Sequence, residues 1–239
     1  RLPRDHSNGD NIESSTRDVT VELSAELTRV LQQELPKSLR SKINEGLLAA
    51  VLRVLNTWTG GEKLAVNLEG HGREELFDDI DLSRTVGWFT SLYPVLLQSN
   101  QADDPGQTLK SVKETLRNIP NNGIGFVMLR YLSDQSTQLK PVPEPEIGFN
   151  YLGLYDQVAG KTGLLRTSVG YRGREQSPAA TRPHVLDIHS VITGGRLQVS
   201  LIYSENLHAK ATMTRLASDI LAELSALADY CRTSTAVEY

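Results

Sequence analysis

The sequence predicts an α/β chain in which a mixed sheet is flanked by helices, and three observations carry that reading. Apolar residues recur at helical spacing through residues 24–60. Leu64, Val66 and Leu68, and later Ile147, Phe149 and Tyr151, alternate as strands do. Two strand-like runs, Leu186 to Thr193 and Leu197 to Ser204, flank Gly194-Gly195, which is a hairpin signal. Strands and helices intermix without a strict βαβ rhythm, so the sheet is expected to be mixed, with helices packed against it.

Residues 1 to about 20 are polar and rich in Asp, Asn and Ser, and read as an extended linker or arm. Ser24 can cap a helix through Leu27, Val30, Leu31 and Leu35, with Pro36 as its stop. Ser38 is expected to open a longer helix. Its apolar positions run from Leu39 to Trp58, and Gly60-Gly61 ends it. Lys63 to Leu68 is the first alternating strand. Its parity places Ala65, Asn67 and, if the strand continues, Glu69 away from the apolar face and toward a cleft or solvent. Trp88 to Leu97 reads as a second, nearly buried strand, and Asp104-Pro-Gly as a turn.

Leu109, Val112, Leu116 and Ile119 mark a helix closed by Pro120. An Asn121-Asn122-Gly123 turn leads to a short helix, Ile124 to Leu132. Residues 153–184 have weak periodicity and read as a long excursion; loops of that length are often functional. Leu216, Ile220, Leu224 and Leu227 define a last amphipathic helix, from about Ala209 to Cys231.

The 239 residues suffice for one good core or two small ones, and 39% hydrophobic with 23% charged residues is an ordinary globular balance. Net charge is −4, with no long basic run, which argues against nucleic-acid and anionic-membrane surfaces. No apolar run approaches the ~20 residues of a membrane span. The start, Arg1-Leu-Pro-Arg-Asp5, has no signal-peptide core and no initiator methionine, and reads as a piece of something longer in a cytoplasmic setting. Cys231 is the only cysteine, so no disulfide or thiolate metal cluster forms within the chain. His6, His184, His189 and His208 lack metal-ligand spacing, and no metal is expected.

The densest chemistry lies in Glu69-Gly-His-Gly-Arg-Glu74 and, ten residues on, Arg84-Thr-Val-Gly-Trp-Phe-Thr-Ser-Leu-Tyr-Pro94. Ile119-Pro-Asn-Asn-Gly-Ile-Gly125 and Phe149-Asn-Tyr-Leu-Gly153 follow. A glutamate at a strand end, beside glycines that admit a substrate, suits acid/base work. The plainer alternative is a surface salt bridge between Glu69 and Arg73. His71 reads as structural or supporting, while Arg73 could orient a carboxylate or hold a substrate arm. Trp88, Phe89 and Tyr93 read as core and as a wall under Glu69. Asn150 and Tyr151 lie on opposite strand faces, so at most one faces a cleft directly.

This set of motifs, in this order, resembles the C-terminal half of the epimerization domain of a nonribosomal peptide synthetase, in the condensation-domain superfamily. The resemblance implies one lobe of a chloramphenicol-acetyltransferase-like fold, with residues 1–20 as inter-lobe linker, 21–232 as the lobe and 233–239 as the start of an exit segment. It implies interconversion of L- and D-aminoacyl or peptidyl thioesters by α-proton removal and return, with Glu69 as catalytic glutamate. Tyr151 would be a hydrogen-bond donor or proton relay, and Asn150, His71, Arg73 and Trp88 would line or support the site. No cofactor is bound directly; the substrate rides on the 4′-phosphopantetheine of a peptidyl carrier protein. The family's His-His-x-x-x-Asp-Gly motif is absent from this chain. A partner N-terminal lobe must supply it, and the chain alone is expected to be inactive. The Glu69 motif favours an epimerization domain over an amide-forming condensation domain; a non-catalytic docking lobe is the third reading.

Overall fold

In the computed structural model, the described residues are 1–76, 78–100, 102–134, 139, 143–155 and 176–233. Six strands form one sheet in the order β1-β6-β5-β4-β2-β3. These are β1 (Thr16–Glu22), β2 (Lys63–Gly70), β3 (Ser91–Gln98), β4 (Ile147–Leu154), β5 (Leu186–Thr193) and β6 (Arg196–Ser204). The sheet is mixed, as expected. β4 runs parallel to both β2 and β5, and the other neighbours are antiparallel. Among the described residues the α-helices are α1 (Ala25–Ser38), α2 (Ile43–Thr59), α3 (Pro105–Arg117), α4 (Gly125–Leu132) and α5 (Lys210–Thr233).

Alternation decides which face is dry. Leu64, Val66 and Leu68 on β2, Leu186, Ile188 and Ile192 on β5, and Leu197, Val199 and Leu201 on β6 are all buried. They meet the apolar sides of α2 and α5, where Leu48, Leu52, Leu55, Leu216, Ile220 and Leu224 are almost fully enclosed. Each fully buried aliphatic side chain stabilises the fold by about 1.5–3 kcal/mol.

Several boundaries differ from the sequence reading. The expected arm is structured from Ile12: it bridges Thr181, a short 3-10 turn spans Glu13–Ser15, and β1 then pairs along its whole length with β6. The boundary drawn at residue 20 therefore falls inside a strand. Pro36 does not stop α1. It removes one backbone donor near the C-terminus, while Leu39 N–H still reaches Leu35 O and the Ser38 hydroxyl reaches Glu34 O. The second helix starts at Ile43 rather than Ser38, because Arg40 takes a left-handed φ of 47° and the Glu45 carboxylate caps Lys42 N at 2.8 Å. Asp104 caps α3 by accepting from Gln107 N at 2.8 Å, so Asp104-Pro-Gly is a helix start rather than a free turn.

The expected strand from Trp88 begins only at Ser91, and Leu92 and Leu96 on it are exposed. The expected Gly194-Gly195 hairpin forms, with Thr193 opposite Arg196. Most of the excursion expected over 153–184, residues 156–175, lies outside the described residues, as does the segment 234–239. No described helix is long and apolar enough to cross a membrane.

Candidate functional site at the open sheet face

The face of the sheet opposite α2 and α5 carries the polar half of the alternation. Register places Asn67 beside Gly148 and Asp187 in one row across β2, β4 and β5. In the next row, Asn150 lies beside His189, and Glu69 extends the β2 side. A groove of about 860 Å³ runs over this face, lined by Glu69, Leu92, Arg182, His184, Asp187 and His189 among others.

Glu69 stands at the exposed end of β2, one residue before the strand closes at Gly70. Its Oε2 accepts a 2.6 Å hydrogen bond from Asn150 Nδ2. The carboxylate thus lies on the open side that strand parity predicts, and Asn150 is the strand residue that meets it. Tyr151 points to the helix side of β4, half-buried, and burial pushes its phenol pKa up. It lines a second cavity of about 260 Å³ with Leu48, Tyr93, Leu116 and Arg117. Glu69 borders both cavities.

Arg73 neither pairs with nor orients Glu69. Its guanidinium donates to Leu82 O at 2.9 Å and Gly87 O at 3.3 Å, and lies 4.2 Å from the centre of the Phe89 ring. Arg73 therefore pins the loop between β2 and β3. Gly72 allows that loop to close: its φ is +65°, and a Cβ there would meet Phe89 O at 1.5 Å. His71 is past the strand end, exposed, with Nδ1 accepting from Arg73 N and Nε2 3.2 Å from Glu74. Trp88 is 90% exposed on the same loop, so it is neither core nor a wall under Glu69. The loop's own anchors leave the indole outside the sheet.

One cluster escaped the sequence reading. His184 and Arg182, just before β5, fold back over the sheet. His184 Nδ1 is 2.7 Å from Asp187 Oδ1, and Nε2 is 3.0 Å from Asn67 Nδ2. Arg182 donates to Asp187 Oδ2 at 2.8 Å and to Ile202 O at 3.0 Å. An amide nitrogen must donate, so Nε2 accepts and the imidazole hydrogen sits on Nδ1, facing Asp187. Burial alone would push the Asp187 carboxyl up. The hydrogen bond from His184, with the further influence of His184, Arg182 and His189, holds it below its usual value. Gly148 makes the space: a Cβ there would lie 2.5 Å from Asp187 Oδ1 and 2.6 Å from His184 Nδ1. The available signal was the Arg182-Pro-His-Val-Leu-Asp187 run at a strand entry. Strand parity does not apply to its first residues, so nothing in the alternation united them.

The profile of the condensation domain matches residues 1–238. The chain belongs to the condensation-domain family. Within that family, it is 42% identical to a linear gramicidin synthase subunit from Brevibacillus parabrevis over all of this chain and 3% of that protein. It is 36% identical to surfactin synthase subunit 1 of Bacillus subtilis (strain 168), again over all of this chain and 7% of that protein. The chain thus spans a small part of these relatives. Among solved structures, the epimerization domain from the third module of tyrocidine synthetase B superposes with a TM-score of 0.87 at 33% identity, covering 98% of this chain and 52% of that one. The six-stranded mixed sheet with its helices is therefore the condensation-family, chloramphenicol-acetyltransferase-like architecture expected from the motifs.

Proposed function

We propose that this chain is the C-terminal half of an epimerization domain, interconverting L- and D-aminoacyl or peptidyl thioesters carried on a peptidyl carrier protein. The observation that carries the reading is Glu69, at the open end of β2 in Glu69-Gly-His-Gly-Arg-Glu74, held by Asn150 and facing a groove. The likeness to a tyrocidine synthetase epimerization domain supports it.

In this reading the Glu69 carboxylate takes the α-proton, and the C–H electron pair moves into the thioester carbonyl to give an enolate. A proton returned to the other face of the α-carbon, with the electron pair coming back from oxygen, inverts the centre. The second acid/base group is the histidine of the N-terminal lobe, across the substrate from the sheet. Asn150 keeps the carboxylate aimed into the groove, while Tyr151, on the helix side of β4, lines the adjoining cavity that Glu69 also borders. The 4′-phosphopantetheine arm of the carrier protein brings the substrate and is not a resident cofactor.

The family description keeps an amide-forming condensation role as the second reading. The two separate on products. The complete domain is supplied with an L-aminoacyl carrier protein and no acceptor, and the released amino acid is resolved by chiral chromatography. Accumulation of the D-isomer is expected. Retention of L, with amide formation once an acceptor carrier is added, would replace epimerization by condensation.

A further inference from the structure

We infer that His184 is a positioning residue for Glu69, acting through Asn67 as part of a side-chain bridge that ties β2 to β5 over Gly148. The inference rests on Glu69 being the working carboxylate of the proposed reaction. Its basis is how weakly β2 is otherwise held on that side. β2 and β4 are in register for only three residues, Val66 with Ile147, Asn67 with Gly148 and Leu68 with Phe149. Glu69 lies just past the last of these pairs, and its contact with Asn150 depends on where the end of β2 lies relative to β4.

The bridge from His184 reinforces that spot. The imidazole spans from Asp187 on β5 to Asn67 on β2. Asp187 is itself fixed by Arg182, whose side chain is 2% exposed. Asn67, at 3% exposure, and His184, at 8%, are buried polar groups on a face that is otherwise open. Such groups are costly unless paired, and once paired they hold one geometry. Asn67 and Glu69 are two residues apart on the same side of β2, so fixing the first fixes the direction of the second. His184 lies on the same sheet face as Glu69. It therefore cannot serve the opposite face of an α-carbon bound above the sheet, which leaves support as its task.

The two bonds of the imidazole can be tested separately. Glutamine at 184 can keep an acceptor toward Asn67 and lose the donor to Asp187; asparagine keeps the donor and loses the acceptor. In the complete domain, His184→Asn and His184→Ala are expected to lower kcat on the order of 10- to 100-fold, the scale of an ångström-level misplacement, with little change in KM. His184→Gln should retain most of kcat. Gly148→Ala, which displaces the pair without removing either member, should resemble His184→Asn. Equal losses in all three His184 variants would mean that the imidazole itself titrates in the reaction, and unchanged kcat in all of them would mean that the bridge is idle; either overturns the inference.

A second readout does not depend on which reaction is catalysed. In the 239-residue chain, the Asn150 side-chain amide resonances report its bond to Glu69. They should move toward free-amide positions in His184→Asn and stay in His184→Gln. Unmoved resonances in folded His184→Asn would overturn the positioning role. If wild type forms no D-isomer but these shifts behave as stated, the epimerase reading fails and the bridge stands.

Discussion

The two faces of this sheet are built from the same strands and differ in how they are held. On the helix side, Ile188 is packed among apolar neighbours and buried without polar contacts to satisfy. On the open side, its chain neighbours Asp187 and His189 line a groove, and Asp187 is tied to Arg182 and His184. The dry face is stabilised by area, which is tolerant of detail. The open face depends on a few directional bonds, each with one geometry. Stability should therefore reside on one side and site geometry on the other.

Substitutions one residue apart test that division. Ile188→Ala should cost about 2–5 kcal/mol, the range for a fully enclosed aliphatic side chain, in chemical denaturation. His189→Ala, on the groove side, should cost far less. Comparable losses would mean that the open face also carries the fold.

Acid should attack the open face selectively. Because the folded-state pKa of Asp187 is depressed, its carboxylate contributes stability that is fully present above the unfolded value, ~3.9, and is lost as pH falls through the lower folded value. Asp187→Asn should therefore be less stable than wild type at neutral pH, and the gap should narrow below pH ~4. A gap independent of pH would detach Asp187 from the charge network described here.

The smallest effect belongs to the loop between β2 and β3. Trp88→Ala should shift stability by no more than about 0.5 kcal/mol, because the ring is exposed. A larger loss in a melting curve would place the indole in the core after all.

These contrasts also mark what was legible in the sequence. The dry face was plain, since alternation at Leu64, Val66 and Leu68 and at Ile147 and Phe149 reports burial directly. The same parity placed Glu69 on the open side, and Gly194-Gly195 marked the hairpin that joins β5 to β6. Helix ends were less legible: a capping carboxylate at Glu45 and a left-handed Arg40 moved the start of α2, and neither has a strong sequence signature. The settings of Arg73 and Trp88 were not legible, because a loop's partners, here the carbonyls of Leu82 and Gly87, follow no period. The Asn67, His184, Asp187 and Arg182 cluster was missed for a related reason. Asn67 and His184 are 117 positions apart in sequence, and the parallel β2–β4 and β4–β5 pairings, with bare Gly148 between them, bring them together.

The central claim is that Glu69 moves the α-proton. Glu69→Gln keeps the shape of the side chain and an acceptor for Asn150, but removes the titratable group. The direct measurement is deuterium wash-in at the α-carbon, in deuterated water, by the complete domain acting on separately prepared L- and D-aminoacyl carrier proteins, with circular dichroism as the folding control. Inversion should fall by at least about 10²–10⁴-fold, the usual contribution of a general acid/base, while exchange from one stereoisomer can survive through the opposing histidine. Inversion at close to the wild-type rate by a folded Glu69→Gln domain would contradict the account.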